Sequence, residues 1–388
     1  MRIVHISDCY PPRLGGIETQ VRALAVRQAA AGHEVHVITA TPSERTRNGT
    51  EVLDGVIVHR TTARMPADLP VHPRVSSVVR RLLDEGGAAA GADVVHVHGG
   101  VVSPFAYPGA RAARQLDLPT VVTLHGVWGG VFSPAARLAD VVTGWSRWGV
   151  VLTAVSDAAA DPVRRIVGPV VPVGIIPNGI DAEAWRIPHV AGDPDEVRLV
   201  AVMRLAPRKR TMPLVAMVQQ ASRCLPAGRR LRLTIVGDGP MAAAVRRHID
   251  RHGLTYGPCV VDLAGRLSPA QVRATLAASD VFIAPAKLES FGIAALEART
   301  AGLPVLAYAQ TGISTFVHDE REGLLAADDR AMTDAIVRIA SDGELRRRIS
   351  EHNRDTEPAQ AWPQVLATVE AAYAEARARS GPAAPSPA

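Results

Sequence analysis

"RIVHISDCYPPRLGGIETQVRALAVRQAAAGHEVHVIT", residues 2–39, decides the fold. It opens with a short apolar run, RIVHIS (2–7), and closes with another, HEVHVIT (33–39). Between them, GIETQVRALAVRQAAAG (16–32) repeats its apolar residues at helical spacing and stops at Gly32. Strand, helix, strand is the unit from which a parallel sheet covered on both faces is built.

The alternation continues along the chain. VIVHRT (56–61), DVVHVHG (93–99), PTVVTLHG (119–126) and VVLTAVS (150–156) read as further strands. AWRIPHVAGDPDEV (184–197) has the proline, glycine and charge of a linker, and after it the pattern restarts. VRLVAVMR (197–204), RLRLTIVGDG (230–239), VVDLAG (260–265), DVFIAPA (280–286) and LPVLAY (303–308) are the strands of this second half. An α/β chain of two Rossmann-like doubly wound domains facing across a cleft is expected, with ligands at the carboxyl ends of the strands.

Bulk properties agree with that class. At 388 residues the chain is long enough for two cores, and 47% hydrophobic with 21% charged residues suits a soluble globular protein. The formal charge of +5 is scattered, which argues against a nucleic-acid groove and suits an anionic small substrate or an anionic membrane surface. Cys9, Cys224 and Cys259 lie far apart, without metal spacing, so a reducing, cytoplasmic setting is expected. MRIVHISDCYPP reads as a strand and turn, not a signal peptide, and no apolar run reaches membrane-spanning length. Arginine supplies the fixed positive charge except at Lys209 and Lys287, so each lysine invites a question.

Several segments carry groups suited to chemistry. In PPRLGGIETQ, Gly15 and Gly16 stand between the first strand and its helix, where glycine lets a ligand approach the backbone and the helix end offers N–H groups to an anion. A tight turn alone explains them equally well. In MRLAPRKR, Arg204 and Lys209 flank a turn after a strand and can clamp a diphosphate; a solvated basic turn is the alternative. His125 ends the strand in TLHG, where it can donate a hydrogen bond or relay a proton. His96 and His98 alternate on one strand, and packing explains them better than a metal. Asp193-Pro194-Asp195 has the form of a metal-diphosphate motif but lies in the linker, so no metal is expected. VHPRVSSVVRRLLDE (71–85) puts Val71, Val75, Val78, Val79, Leu82 and Leu83 on a helical stripe beside Arg74, Arg80 and Arg81. This is either a core-facing helix or a peripheral contact with anionic lipid.

LESFGIAALEA (288–298) sets Glu289 and Glu297 eight positions apart around an apolar stretch. Phe291 and Gly292 should open a helix whose first N–H groups face a ligand. Glu297 then lies roughly 10 Å further along the axis, too far to share one metal ion with Glu289. The spacing suits two hydroxyl-bearing groups with a diphosphate between them.

Together these segments resemble the retaining GT-B glycosyltransferases of family GT4, and the resemblance is to bacterial members. The resemblance spans nearly the whole chain and rests on the ordered anchors GG, TLHG, VSDAA, IPNGID, MRLAPRK, IVGDGP, ESFGIAALEA and AGLPVLA. It implies transfer of a hexose or N-acetylhexosamine, with retention, from a UDP- or GDP-linked donor to a lipid-linked, inositol-type or natural-product hydroxyl, with no cofactor and no metal. It implies an acceptor-binding domain over 1–190 and a nucleotide-sugar-binding domain over 191–358. A helix over 359–380 would return to the first domain, and 381–388, GPAAPSPA, would be a disordered tail. Arg204 and Lys209 are similar to the diphosphate clamp, and Glu289 to the acid that reads the donor sugar. Glu297 is similar to the ribose-binding acid and His125 to the active-site histidine. Gly16, Gly237 of IVGDGP, Arg266, Phe291, Gly292 and Ile293 complete the implied donor contacts. Met203 and Arg210 stand where the family has glycines, and TGISTF (311–316) replaces GGxPE. The stretch RLGGIETQVRALA…GHEVHVIT is also similar to the phosphatidylinositol-directed N-acetylglucosaminyltransferases. A nucleotide-sugar epimerase and a non-catalytic nucleotide-sugar-binding subunit are the competing readings.

Overall fold

The computed structural model describes residues 1–13, 15–44, 46–63, 72–129 and 132–380. Val71 of the striped segment and the tail over 381–388 lie outside the described residues. The chain divides into two units, residues 1–179 with 363–388, and residues 180–362.

The first unit is built on eight strands: β1 (Arg2–Ser7), β2 (Glu34–Thr39), β3 (Asn48–Leu53), β4 (Val56–Thr61), β5 (Val94–Gly99), β6 (Thr120–Leu124), β7 (Val151–Ala154) and β8 (Val173–Ile175). Their order is β3-β4-β2-β1-β5-β6-β7-β8. All pairings are parallel except β3 with β4. An all-parallel sheet is therefore corrected at one edge. The cause is local: Asp54 (φ 52°) and Gly55 (φ 80°) both turn left-handed, the two-residue hairpin that Asp-Gly favours.

Helices α1 (Gly16–Ala30), α2 (Val75–Leu83), α3 (Ala106–Arg114), α4 (Phe132–Thr143) and α5 (Asp157–Val167) connect these strands. Helix α1 ends as its sequence indicates, with Gly32 at φ 86°. Its buried face is less apolar than the spacing suggests, because Gln20 and Gln28 lie in it beside Val21, Leu24 and Ala25. In α2, Val75, Val79 and Leu83 are buried while Arg74, Arg80 and Arg81 are exposed. Much of the stripe is thus core, packed toward α3.

The second unit begins with the single turn α6 (Ala182–Trp185) and holds six strands. They are β9 (Glu196–Val202), β10 (Arg230–Val236), β11 (Cys259–Gly265), β12 (Val281–Ile283), β13 (Val305–Tyr308) and β14 (Gly323–Ala326). The order is β11-β10-β9-β12-β13-β14, and every pairing is parallel. Helices α7 (Thr211–Ser222), α8 (Ala242–Arg251), α9 (Pro269–Ala277), α10 (Ile293–Thr300), α11 (Asp329–Ser341) and α12 (Gly343–Asp355) cover it. Leu199, Leu233, Ile235 and Val281 of the strands close a core with Leu214 and Val218 of α7 and Met332 and Ile336 of α11.

The last helix, α13 (Trp362–Ser380), belongs to the first unit from Pro363 onward. It buries Val365, Val369, Tyr373 and Ala376 there. No helix among the described residues is long and apolar enough to cross a membrane.

Candidate active site

Strand order locates the binding edge of each sheet. In the second unit the chain runs outward from β9 through β10 to β11, then returns to the other side of β9 with β12. The carboxyl ends of β9 and β12 therefore form the switch point at which loops diverge and leave room for a ligand. Arg204 and Lys209 follow β9, and Glu289 follows β12. Lys209 Nζ pairs with Glu289 Oε2 across that point, with the two side chains about one-fifth exposed. The lysine lies at the end of a 3-10 turn, Pro207–Lys209, beside an exposed Arg204.

Glu289 leads into α10. Gly292 caps this helix in the left-handed region, φ 89° and ψ 59°, and a Cβ there would lie 2.5 Å from Ile313. Only glycine fits such a cap without strain. Phe291 is buried against Phe316, ring centroids 5.3 Å apart, so its side chain serves the core and only its backbone is left for a ligand. Ile293 is the first helical residue, with its N–H among those that the helix itself cannot satisfy. Glu297 sits in the second turn. Burial pushes its carboxyl up to about 7, opposed by the charge of Arg273. Gly237, after β10, holds φ 130° with Met203 O only 1.9 Å from where a Cβ would be. Arg266 follows β11 and is exposed.

Some of this region was not legible in the sequence. Lys287 pairs with Asp329 Oδ1 at 2.7 Å, and Arg210 with Asp329 Oδ2 at 2.6 Å. The Tyr308 hydroxyl donates to Asp329 Oδ1 at 2.8 Å and accepts from Arg210 at the same distance. These bonds hold the Asp329 carboxyl well below its ordinary range, Arg210 first among them. Arg210 has a left-handed backbone, φ 59°, the region that glycine favours. The scarcity of lysine was the available signal, and it marks Lys209 and Lys287, both at this edge.

In the first unit, the corresponding switch point lies between β1 and β5. Gly16 opens α1 just after β1 and is exposed. The carboxylate of Glu18 folds back over Gly15, where a Cβ would lie 2.3 Å from Oε2. His125 follows β6 and is fixed by its N–H to Gly99 O at 2.8 Å. Its Nε2 lies 3.2 Å from His98 Nδ1, and burial lowers its pKa to about 4.

Two groups have the form of metal ligands. Asp193 pairs with Arg230 and accepts from the Asp195 N–H, a local turn. Among the described residues, His5, His96 and His98 are close enough to share an ion. All six of their ring nitrogens are engaged in hydrogen bonds with protein groups.

Two doubly wound sheets, the second with cations and carboxylates gathered at its switch point, define an α/β protein that takes a ligand at its strand ends. Residues 14–184 match the model of Glycosyltransferase Family 4, and residues 185–356 that of Glycosyl transferases group 1. The chain belongs to this family, the GT4 glycosyltransferases of GT-B fold that use nucleotide sugars. It is 28% identical over 369 residues to glycogen synthase of Mycobacterium tuberculosis, covering 88% of this chain and 86% of that one. It is 29% identical over 393 residues to a GDP-mannose-dependent alpha-mannosyltransferase of Mycolicibacterium smegmatis, covering 94% and 95%. Among solved structures, Anabaena HepE in complex with UDP and glucose superposes with a TM-score of 0.70 at 17% identity, covering 96% of this chain and 100% of that one.

Proposed function

We propose that this glycosyltransferase moves a hexose or N-acetylhexosamine from a UDP- or GDP-linked donor, with retention, to a hydroxyl on an acceptor with an apolar body. The Lys209–Glu289 pair at the switch point of the second unit carries this reading. A free lysine attracts a diphosphate, whereas a lysine already paired to a carboxylate exchanges that partner when a donor arrives. Lys209 and Arg204 then meet the diphosphate oxygens, and Glu289 is released to accept from the sugar hydroxyls. The Ile293 end of α10 adds helix-terminal N–H groups. Glu297 accepts from the ribose, which its charge-assisted bonds would repay for desolvation. In the transfer, the bond from C1 to the diphosphate breaks and the bond to the acceptor oxygen forms on the same face. The acceptor proton leaves with the diphosphate. The residues' task is to stabilise the departing negative charge.

The acceptor class is supported by a cavity of about 970 Å³ in the first unit. Leu124, Trp128, Trp145, Trp148 and Leu152 line it, and Arg74, Arg80 and Arg111 also reach its wall. Beside it, α4 exposes Leu138, Val141 and Val142, each more than 60% accessible. An apolar chain with an anionic group, as in a lipid-linked acceptor, suits such a surface. The named relatives, one acting from GDP-mannose and one bound to UDP, are consistent with both donor bases.

The test is a thermal-shift screen of UDP, GDP and ADP with their sugars, followed by transfer to lipid-linked and soluble acceptors and NMR of the product anomer. A shift with one nucleoside diphosphate and an anomer matching the donor is expected. No binding to any of them, or an inverted product, overturns the reading.

A further inference from the structure

Eight side chains in the first unit form one unbroken hydrogen-bonded chain that ends at His125. His125 Nε2 lies 3.2 Å from His98 Nδ1, and His98 Nε2 lies 2.9 Å from His5 Nδ1. His5 Nε2 lies 2.7 Å from Gln28 Oε1, and Gln28 Nε2 donates to the Tyr373 hydroxyl at 3.0 Å. That hydroxyl is 2.9 Å from His96 Nδ1, and His96 Nε2 is 2.7 Å from Thr123 Oγ1. Thr123 Oγ1 is 2.7 Å from Thr153 Oγ1, which donates to the carbonyl of Val122 at 3.3 Å.

Each neutral imidazole carries one proton, so each must donate at one nitrogen and accept at the other. Burial lowers His5 to about 4 and His96 and His98 well below the ordinary value, so at neutral pH the rings are uncharged. Such a chain has two self-consistent directions, the second reached only when the Gln28 amide turns end for end, and a group at its end that can only accept chooses between them. The Val122 carbonyl is such a group. Thr153 donates to it and therefore accepts from Thr123, which accepts from His96 Nε2–H. His96 Nδ1 then accepts from Tyr373, whose oxygen accepts from the Gln28 amide N–H. Gln28 Oε1 accepts from His5 Nε2–H, His5 Nδ1 from His98 Nε2–H, and His98 Nδ1 from His125 Nε2–H.

We infer that Tyr373 and Thr153 are positioning residues: through this chain they hold His125 as its Nε2–H tautomer, leaving the Nδ1 lone pair to accept from a substrate hydroxyl. The histidine thus offers the substrate an acceptor, the reverse of the donor role that its position alone suggests. The link from tautomer to turnover rests on the placing of His125 in the active site; the tautomer itself does not. The arrangement also gives α13 a task besides packing, because its Tyr373 is the bridge between the two halves of the chain.

The test uses the full-length protein labelled with ¹⁵N-histidine at pH 7.5, where protonated and bare ring nitrogens give well-separated signals. In the wild type, His125 should show protonated Nε2 and bare Nδ1. Tyr373→Phe cuts the chain and Thr153→Val removes its anchor, so each should give a mixture of both His125 tautomers. With two tautomers equally populated, kcat should fall about twofold at near-constant donor KM. If Tyr373→Phe does not fold, Thr153→Val, which only exchanges a hydroxyl for a methyl, carries the test alone. A wild-type His125 protonated at Nδ1, or tautomers unmoved in the variants that fold, overturns the inference. Stoichiometric zinc in the purified protein, held by His5, His96 and His98, overturns it too. Tautomers that shift while kcat does not move would leave the chain standing but remove His125 from the transfer.

Discussion

Lys209 and Glu289 are 80 positions apart and meet because strands β9 and β12 are neighbours. That pairing makes the roles of Glu289 and Glu297 separable by experiment. Glu297→Ala should weaken donor and free nucleoside diphosphate alike, about tenfold to a hundredfold, the cost of a charge-assisted bond. Glu289→Ala should leave nucleoside diphosphate binding near the wild type, because Lys209 is then free, and show its loss in turnover. Calorimetric titration beside initial rates distinguishes the two, and the opposite pattern reverses the assignment. Glu297 also makes a pH prediction. Its folded pKa, about 7, lies above the ordinary 4.5. Between these values the unfolded chain loses its proton before the folded one, so stability contributed by the protonated form is full below 4.5 and is lost as pH rises through 7. On the order of 3 kcal/mol is at stake. Glu297→Gln should flatten this part of a stability-versus-pH curve; an unchanged slope would deny the shift.

At the scale of elements, glycines at loop starts show how the sheets deliver their side chains. Gly237→Ala would drive a Cβ against Met203 O, 1.9 Å away, at φ 130°. A loss on the order of 1–3 kcal/mol in chemical denaturation is expected. Helices α2 and α4 reassign the surface that would meet a lipid. The stripe of α2 gives Val75, Val79 and Leu83 to the core, leaves Val78 and Leu82 half-buried, and keeps Arg80 and Arg81 exposed. Helix α4 instead exposes Leu138, Val141 and Val142. Vesicles of anionic lipid should therefore lose binding on Leu138→Ser with Val141→Ser, and lose it partly on Arg74→Ser with Arg80→Ser. Each arginine contributes about 1 kcal/mol near such a surface. Equal sedimentation of all variants would remove lipid from the proposal.

At the scale of the molecule, the proposed transfer sets cationic side chains and helix-terminal N–H groups against the leaving diphosphate, with no metal assigned a part. Activity should accordingly persist after exhaustive chelation, and a loss restored by magnesium or manganese would contradict this. A second prediction concerns α13. Removing residues 363–388 uncovers the first unit where Val365, Val369 and Tyr373 are buried. The truncated chain should melt well below the full chain, with the change confined to the first unit in hydrogen exchange.

Much of this protein was written locally. Alternating apolar strands and helical spacing give the two doubly wound sheets, because periodicity depends only on neighbours in the chain. Glycine punctuation gives the end of α1 and the cap of α10 for the same reason. The Asp54-Gly55 hairpin was legible on that principle too, yet a strand as polar as NGTEVL, Asn48–Leu53, hides it at a sheet edge. What the sequence leaves open is partnership. Nothing local says that Lys209 will pair with Glu289, or that Arg210 at a glycine's backbone angle will be neutralised by Asp329 from over a hundred positions away. Nor does His125 reveal which of its nitrogens carries the proton, since that depends on Gln28, Tyr373 and Thr153, drawn from three distant segments. Hydrogen bonds and ion pairs act over a few ångströms of space regardless of chain distance, so only the folded sheets, by setting which strand ends are neighbours, decide them.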